Sequence, residues 1–242
     1  IMIVGKTDVG RVRQMNQDVF FHDTLDDTSC FAVVCDGMGG EKAGNVASQM
    51  ACDVIRQKVQ GGYRSGIDQN AIRNLLITAV TAANAEVYHA AVTNLDYSGM
   101  GTTVVLAFIE GKTLHVAHVG DSRAYIINQK EFTQITRDHS VVQELLELGK
   151  ISDEDAKHHP QKNLITRAVG VESSVCVDYL ETTLSPGDKV LICTDGLTNN
   201  CEPSAIYQAV LNYPPEEVPG LLVDLANNAG GPDNITAVLM AY

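Results

Sequence analysis

Two long stretches of helical spacing stand side by side in this chain. The other apolar residues fall mostly into short runs joined by tight connections. Residues 43–59 set Ala47, Met50, Ala51, Val54, Ile55 and Val59 on one helical face. Residues 70–92 do the same with Ile72, Leu75, Leu76, Ala79, Ala83, Val87 and Ala90. Runs rich in β-branched or apolar residues occupy 30–35, 102–109, 113–119, 123–128, 175–182, 189–194 and 235–241. Consecutive strands linked by segments as short as Glu110-Gly111-Lys112 pair antiparallel, because a parallel neighbour needs a long crossover. A doubly wound parallel sheet would alternate strands with helices, whereas here the two long helices are neighbours in sequence. The pattern predicts an α+β fold with helices packed on an antiparallel core, and two shorter helices near 203–211 and 216–228.

Nothing divides the chain. The most linker-like stretch, residues 61–66, is short and lies between the two long helices; residues 1–242 read as one domain. With 242 residues, 45% of them hydrophobic, a sizeable core is available. The formal net charge of -13 repels nucleic-acid backbones and anionic membrane surfaces, so neither is expected as a partner. No apolar run approaches the ~20 residues of a membrane span, and residues 1–6 lack the basic and apolar regions of a signal peptide. The six cysteines form no Cys-x-x-Cys, and Cys35 and Cys193 sit inside apolar runs. Buried free thiols in a reducing cytoplasm are expected.

Four aspartates stand at the ends of strand-like runs: Asp36 before Gly37-Met38-Gly39-Gly40, Asp121 after Gly120, Asp195 before Gly196, and Asp233 in Gly230-Gly231-Pro232-Asp233-Asn234. Any one of them alone reads as a turn residue. Together they suggest carboxylates gathered on rigid strand ends, with glycines that let a ligand approach the backbone. Such a cluster repels itself unless cations lie within it, and oxygen-only donors favour Mg²⁺ or Mn²⁺ over zinc. His115 and His118, three apart, do not share a strand face, and His158-His159 lies in a polar loop, so no His-based metal site is expected. No Ser or Cys nucleophile with a neighbouring His base has a local signature. The segment holding Arg11, Arg13, Asn16 and Asp18 has two readings. It is a solvated turn, or it carries an arginine that forks onto phosphate with Asp18 holding metal-bound water.

Eight segments, in order, carry a family resemblance. They are Thr7-Asp8-Val9-Gly10 with Arg13, Asn16, Gln17 and Asp18; residues 34–40; Gly99 to Thr103; Val119 to Arg123; Thr136 with Asp138-His139-Ser140; Ile165 to Gly170; Thr194 to Leu197; and Gly231 to Thr236. Over nearly its whole length the chain resembles the metal-dependent Ser/Thr protein phosphatases of the 2C type, in their compact bacterial form. The resemblance implies a four-layer α-β-β-α sandwich, two antiparallel sheets flanked by helices, with two cations, Mg²⁺ or Mn²⁺, in a cleft at one end. By position, Asp36 would bridge both cations, Asp195 and Asp233 would complete the first site, the Gly37 carbonyl would join the second, and Asp18 would act through water. A weaker third cation would use Asp121 and Asp195. Arg13 takes the place of the phosphate-binding arginine, and residues 140–164 that of a mobile flap. The implied reaction is in-line attack of a metal-bridging hydroxide on phosphoserine or phosphothreonine in proteins, with Asp36, Asp195 and Arg13 central to catalysis. The expected setting is a cytoplasmic monomer opposing a bacterial Ser/Thr kinase. Two positions depart from relatives that carry histidine there, Met38 and Glu41, which leaves the leaving-group acid open.

Three rival readings fare worse. A catalytically dead phosphoprotein-binding member would have lost a metal aspartate, yet Asp36, Asp195 and Asp233 are all present. A two-metal nuclease needs a basic groove, against a charge of -13. A paired-carboxylate glycosidase leaves the Gly-rich turns unexplained, and the chain has no Trp to stack a sugar.

Overall fold

The computed structural model describes residues 1–40 and 43–242. In chain order the elements are β1 (Met2–Asp8), β2 (Asp18–Thr24), β3 (Ser29–Met38), α1 (Ala43–Gly62) and α2 (Gln69–Thr93). There follow β4 (Gly101–Thr102), β5 (Val104–Glu110), β6 (Thr113–Val119), β7 (Arg123–Ile127) and β8 (Phe132–Gln134). Then come α3 (Val141–Glu147), α4 (Asp153–His158), β9 (Asp178–Thr183), β10 (Lys189–Cys193), α5 (Asp195–Thr198), α6 (Pro203–Asn212), α7 (Val218–Asn228) and β11 (Ile235–Ala241). One sheet runs β1-β11-β10-β7-β8 and the other β2-β3-β5-β6-β9, with β4 beside β3. The pairings are antiparallel.

The strand runs are apolar without alternation because the sheets are covered on both faces. In β3, Phe31, Val33 and Cys35 pack beneath α1 and α2, while Cys30, Ala32 and Val34 face the other sheet. In β10, Leu191 and Cys193 pack against the α5–α7 side, and Val190 and Ile192 point inward. Three stacked apolar layers therefore separate four layers of structure: helices, sheet, sheet, helices. An antiparallel sheet with one wet face would alternate polar and apolar residues instead. Fully buried side chains such as Phe31, Phe108, Leu106 and Ile55 contribute about 1.5–3 kcal/mol each.

Helix α2 begins at Asp68, whose side chain accepts from the Ala71 N–H and satisfies a free donor of the first turn. Its 25 residues are long and apolar enough to cross a membrane by length and composition. It is not one uninterrupted apolar run, because Asn, Arg, Glu and His residues fall within it. Ile72, Leu76, Ala79, Val80, Ala83 and Val87 are spent on the core under α1.

The predicted strand 102–109 is split at Thr103, which leaves the ladder to bond Asp36: its N–H donates to the Asp36 carbonyl and its hydroxyl accepts from the Asp36 N–H. Strands β1, β2 and β8 were not expected. Their residues are half-exposed and mixed, so no apolar run marks them. Strand β1 pairs with β11, joining the two ends of the described chain in one sheet. Five cysteines are buried and free as expected, and Cys176 is exposed.

Candidate metal centre

The cleft is built where strands from both sheets end together. Asp36 lies near the end of β3, directly across the ladder from Asp18 at the start of β2. Asp195 opens α5 just after β10, and Asp233 precedes β11, the neighbour of β10. A cleft of about 350 Å³ is lined by Asp36, Gly37, Asp121, Asp195, Asp233 and Arg13, with Asn163, Leu164 and Ile165 on its far side. Six of the seven residues expected at the centre thus share one cavity; the seventh, Asp18, is buried across from Asp36 and is not part of its lining. Asp36 sits inside β3 instead of in a turn beyond it.

Close backbone approach explains two of the glycines. A Cβ on Gly37 would collide with the Gly44 carbonyl at the head of α1, and one on Gly196 with the Asn234 carbonyl. The N-terminal loop is held by Asn234, whose side chain donates to the carbonyls of Val9 and Met15 (2.9 and 3.0 Å) and accepts from the Gln17 N–H (2.9 Å). That clamp brings Arg13 beside Asp233, at 3.0 Å.

Asp18 is oriented by hydroxyls from the opposite sheet. Thr194 and Thr236 both donate to its Oδ2, at 2.9 and 2.7 Å. Thr236 is backed by Thr7 at 2.7 Å, and Thr7 accepts from Asn16. The other oxygen, Oδ1, is buried with no partner among the described residues.

Charge in the cleft is unbalanced. Burial, then repulsion from Asp18, Asp195, Asp121 and Asp233, pushes the Asp36 carboxyl well above the usual carboxylate range. Burial raises Asp18 to about 7, against the hydrogen bonds from Thr236 and Thr194. Asp121 is raised to about 8 by burial and by the charges of Asp195 and Asp138. Asp195 is raised by burial and by Asp233, and a hydrogen bond with Asp36 opposes the shift. Clustered oxygen donors, a mutual repulsion that cationic charge would relieve, and an orphaned buried carboxylate oxygen fit hard divalent cations.

Asp121 forms no ion pair with Arg123, although it keeps a hydrogen bond to its own backbone. The Arg123 guanidinium forks onto Asp138 instead, at 2.6–3.0 Å. The flap region contains α3 and α4, and its base is closed by a bridge between Ser140 and Ile165. Glu41 lies outside the described residues. Met38 lines the cleft and offers no proton.

A histidine cluster forms that spacing along one strand does not show. His118 gains a partner from a distant segment: His118, His139 and Asp178 bring ligand-type atoms within 4.8 Å of one another. The His118 and His139 rings stack at 4.8 Å. Spacing along one strand could not reveal this, because His139 and Asp178 arrive from elsewhere in the chain. The His139 nitrogens are engaged, however: Nδ1 accepts from the Gly120 N–H at 3.0 Å, and Nε2 lies 3.0 Å from Asp178. The Arg167 guanidinium occupies the same place, 2.6 Å from Asp178, and supplies the positive charge itself. The cluster braces the Gly120-Asp121 turn.

Sequence reasoning also passed over Thr103, Thr194, Thr236 and Asn234 as positioning groups. Each stood inside a recognised motif, but its partner lies on another strand.

The arrangement suits a class of site in which strand-end carboxylates could hold divalent cations at the rim of a β-sandwich. Residues 9–214 match the family described as Protein phosphatase 2C. The protein phosphatase PhpP of Streptococcus pneumoniae is 39% identical over 238 residues, 97% of this chain and 95% of that protein. The serine/threonine phosphatase Stp1 of Staphylococcus aureus superposes with a TM-score of 0.93 at 36% identity, covering 99% of this chain and 94% of that one. The catalytic domain of the serine/threonine phosphatase PstP, solved with two manganese ions, gives 0.85 at 30% identity, covering 98% and 96%. The chain belongs to the protein phosphatase 2C family, whose members are metal-dependent Ser/Thr protein phosphatases.

Proposed function

We propose that this chain removes phosphate from phosphoserine and phosphothreonine in proteins with two cations, Mg²⁺ or Mn²⁺, held in the carboxylate cleft. The observation that carries this reading is the gathering of Asp36, Asp195, Asp233 and Asp121 around one cavity, with Arg13 at its edge. In this reading Asp36 would serve both cations, Asp195 and Asp233 would complete one site, the Gly37 carbonyl would join the other, and Asp18 would act through water. Asp121 and Asp195 would hold a weaker third cation. When bound, such a pair supplies Lewis-acid charge and a water acidic enough to act near neutral pH.

The chain's own residues do the rest. Arg13, half-exposed and paired with Asp233, is free to turn its fork onto phosphoryl oxygens. Thr194 and Thr236 hold the Asp18 carboxylate in place across from Asp36, and Thr103 fixes the backbone of Asp36. Asn163 and Leu164 of the flap close the far wall. The six free cysteines support a reducing compartment, and we place the enzyme in the cytoplasm as a monomer opposing a Ser/Thr kinase.

The test is phosphate release from a phosphothreonine peptide. Hydrolysis should vanish in excess chelator and return with Mn²⁺ or Mg²⁺; full activity in chelator would overturn the reading.

A further inference from the structure

Beside the carboxylate cleft lies a second groove, of about 370 Å³, which shares Met38 and Ile165 with it as a common wall. Its other sides include Val171, Val175 and Ala168, with Glu172 at the rim. Val171 is 49% exposed at this groove, and Leu164 of the neighbouring cleft is 50% exposed. The charge of Arg167 is already taken: its guanidinium donates to Asp178 and to the Cys176 carbonyl. Thr166 and Ser174 add hydroxyls to a lining whose larger share is apolar, formed by Met38, Ile165, Ala168, Val171 and Val175. The cavity on the opposite side of the cleft differs, being lined by Asp138, Asp153, Lys157 and Lys162.

We propose that this groove takes a large apolar side chain of the phosphoprotein substrate, two residues from the phosphorylated one. The proposal rests on the phosphatase reading above. A phosphoresidue seated in the cleft anchors an extended chain, whose side chains at i and i±2 point to the same face. Those two side chains stand roughly 7 Å apart along the strand, at about 3.3 Å per residue, which suits adjacent pockets sharing one wall. The Met38–Ile165 wall would lie between them. Glu172 at the rim repels an acidic residue in that position, so the groove selects for aliphatic and against acidic neighbours.

The experiment uses phosphothreonine peptides with glycine at both flanking positions, with leucine at -2, and with leucine at +2. The enzyme carries Mn²⁺, and p-nitrophenyl phosphate serves as a substrate too small to reach the groove. One leucine peptide should gain about tenfold in kcat/KM, mostly through KM, the scale expected of a modest apolar pocket. Val171→Asp should erase that gain and leave p-nitrophenyl phosphate hydrolysis unchanged. Val171→Ala, a milder change at the same exposed site, should reduce it. If neither leucine peptide gains, or the gain survives both variants, the groove is not a substrate subsite. Failure to hydrolyse p-nitrophenyl phosphate at all would instead overturn the phosphatase reading on which it rests.

Discussion

Replacing Asp18 by Asn should stabilise the metal-free protein at alkaline pH relative to acidic pH. Asp18 is 5% exposed, and its carboxyl is raised from 3.8 to about 7, chiefly by burial. An acid whose folded pKa exceeds its unfolded one keeps its proton in the folded chain after the unfolded chain has lost it. Its contribution is therefore most favourable below the unfolded pKa, and stability falls as pH rises towards the folded one. Of that window, the part between pH 5 and about 7 is experimentally accessible. Two pH units at about 1.4 kcal/mol each amount to about 3 kcal/mol. For a chain of this length that corresponds to roughly 8 °C in Tm.

Asp18→Asn has no such proton to lose. It incurs a pH-independent cost, because the new amide replaces an oxygen that has no partner. Buried His118 and His139 have lowered pKa values, mainly through burial, and push stability the other way with pH. They do so alike in both proteins and cancel in the comparison, whereas Asp36, raised in part by the Asp18 charge, loses that repulsion in the variant and moves the difference in the same direction. Thermal unfolding in chelator at pH 5, 6, 7 and 8 reads the difference. The Tm of Asp18→Asn minus that of wild type should rise by roughly 8 °C between pH 5 and pH 8. A difference that stays constant or shrinks would refute the claim that buried charge at Asp18 is held against the stability of the empty site.

Asp36→Asn, Asp195→Asn and Asp233→Asn should each lower turnover at least ~10²-fold with an intact circular-dichroism spectrum, since each removes anionic charge from the cation site. Arg13→Ala should raise the phosphopeptide KM about tenfold, on the order of 1.4 kcal/mol, and leave cation affinity nearly unchanged in a Mn²⁺ titration. Asp121→Ala should keep two tightly bound cations by titration and lower activity chiefly on protein substrates; unaltered kinetics would reduce Asp121 to a turn residue.

The aspartates at the ends of β3, β6 and β10 and before β11 were legible because each stands at the edge of an apolar run, the first three beside a glycine and Asp233 two residues after Gly231. That run exists because its strand is covered on both faces, so the features that revealed the strands also located the cleft. Strands β1 and β2 left no such trace. Each is half-exposed, and β2 contributes Asp18, whose functional reading stood beside a solvated-turn alternative until the fold placed it across from Asp36. The hydroxyls aimed at Asp18 come from Thr194 and Thr236, 176 and 218 residues away, a separation no local pattern encodes. The pairing of His139 with Asp178 was hidden for the same reason.

The central claim is that the carboxylates of this cleft exist to hold divalent cations. Crystals of the protein soaked in millimolar Mn²⁺ and read by anomalous scattering test it most directly. The account predicts two strong peaks among Asp36, Asp195 and Asp233, and none at the His118–His139–Asp178 cluster, where Arg167 already supplies the charge. An empty carboxylate cleft, with or without a peak between the histidines, would contradict it.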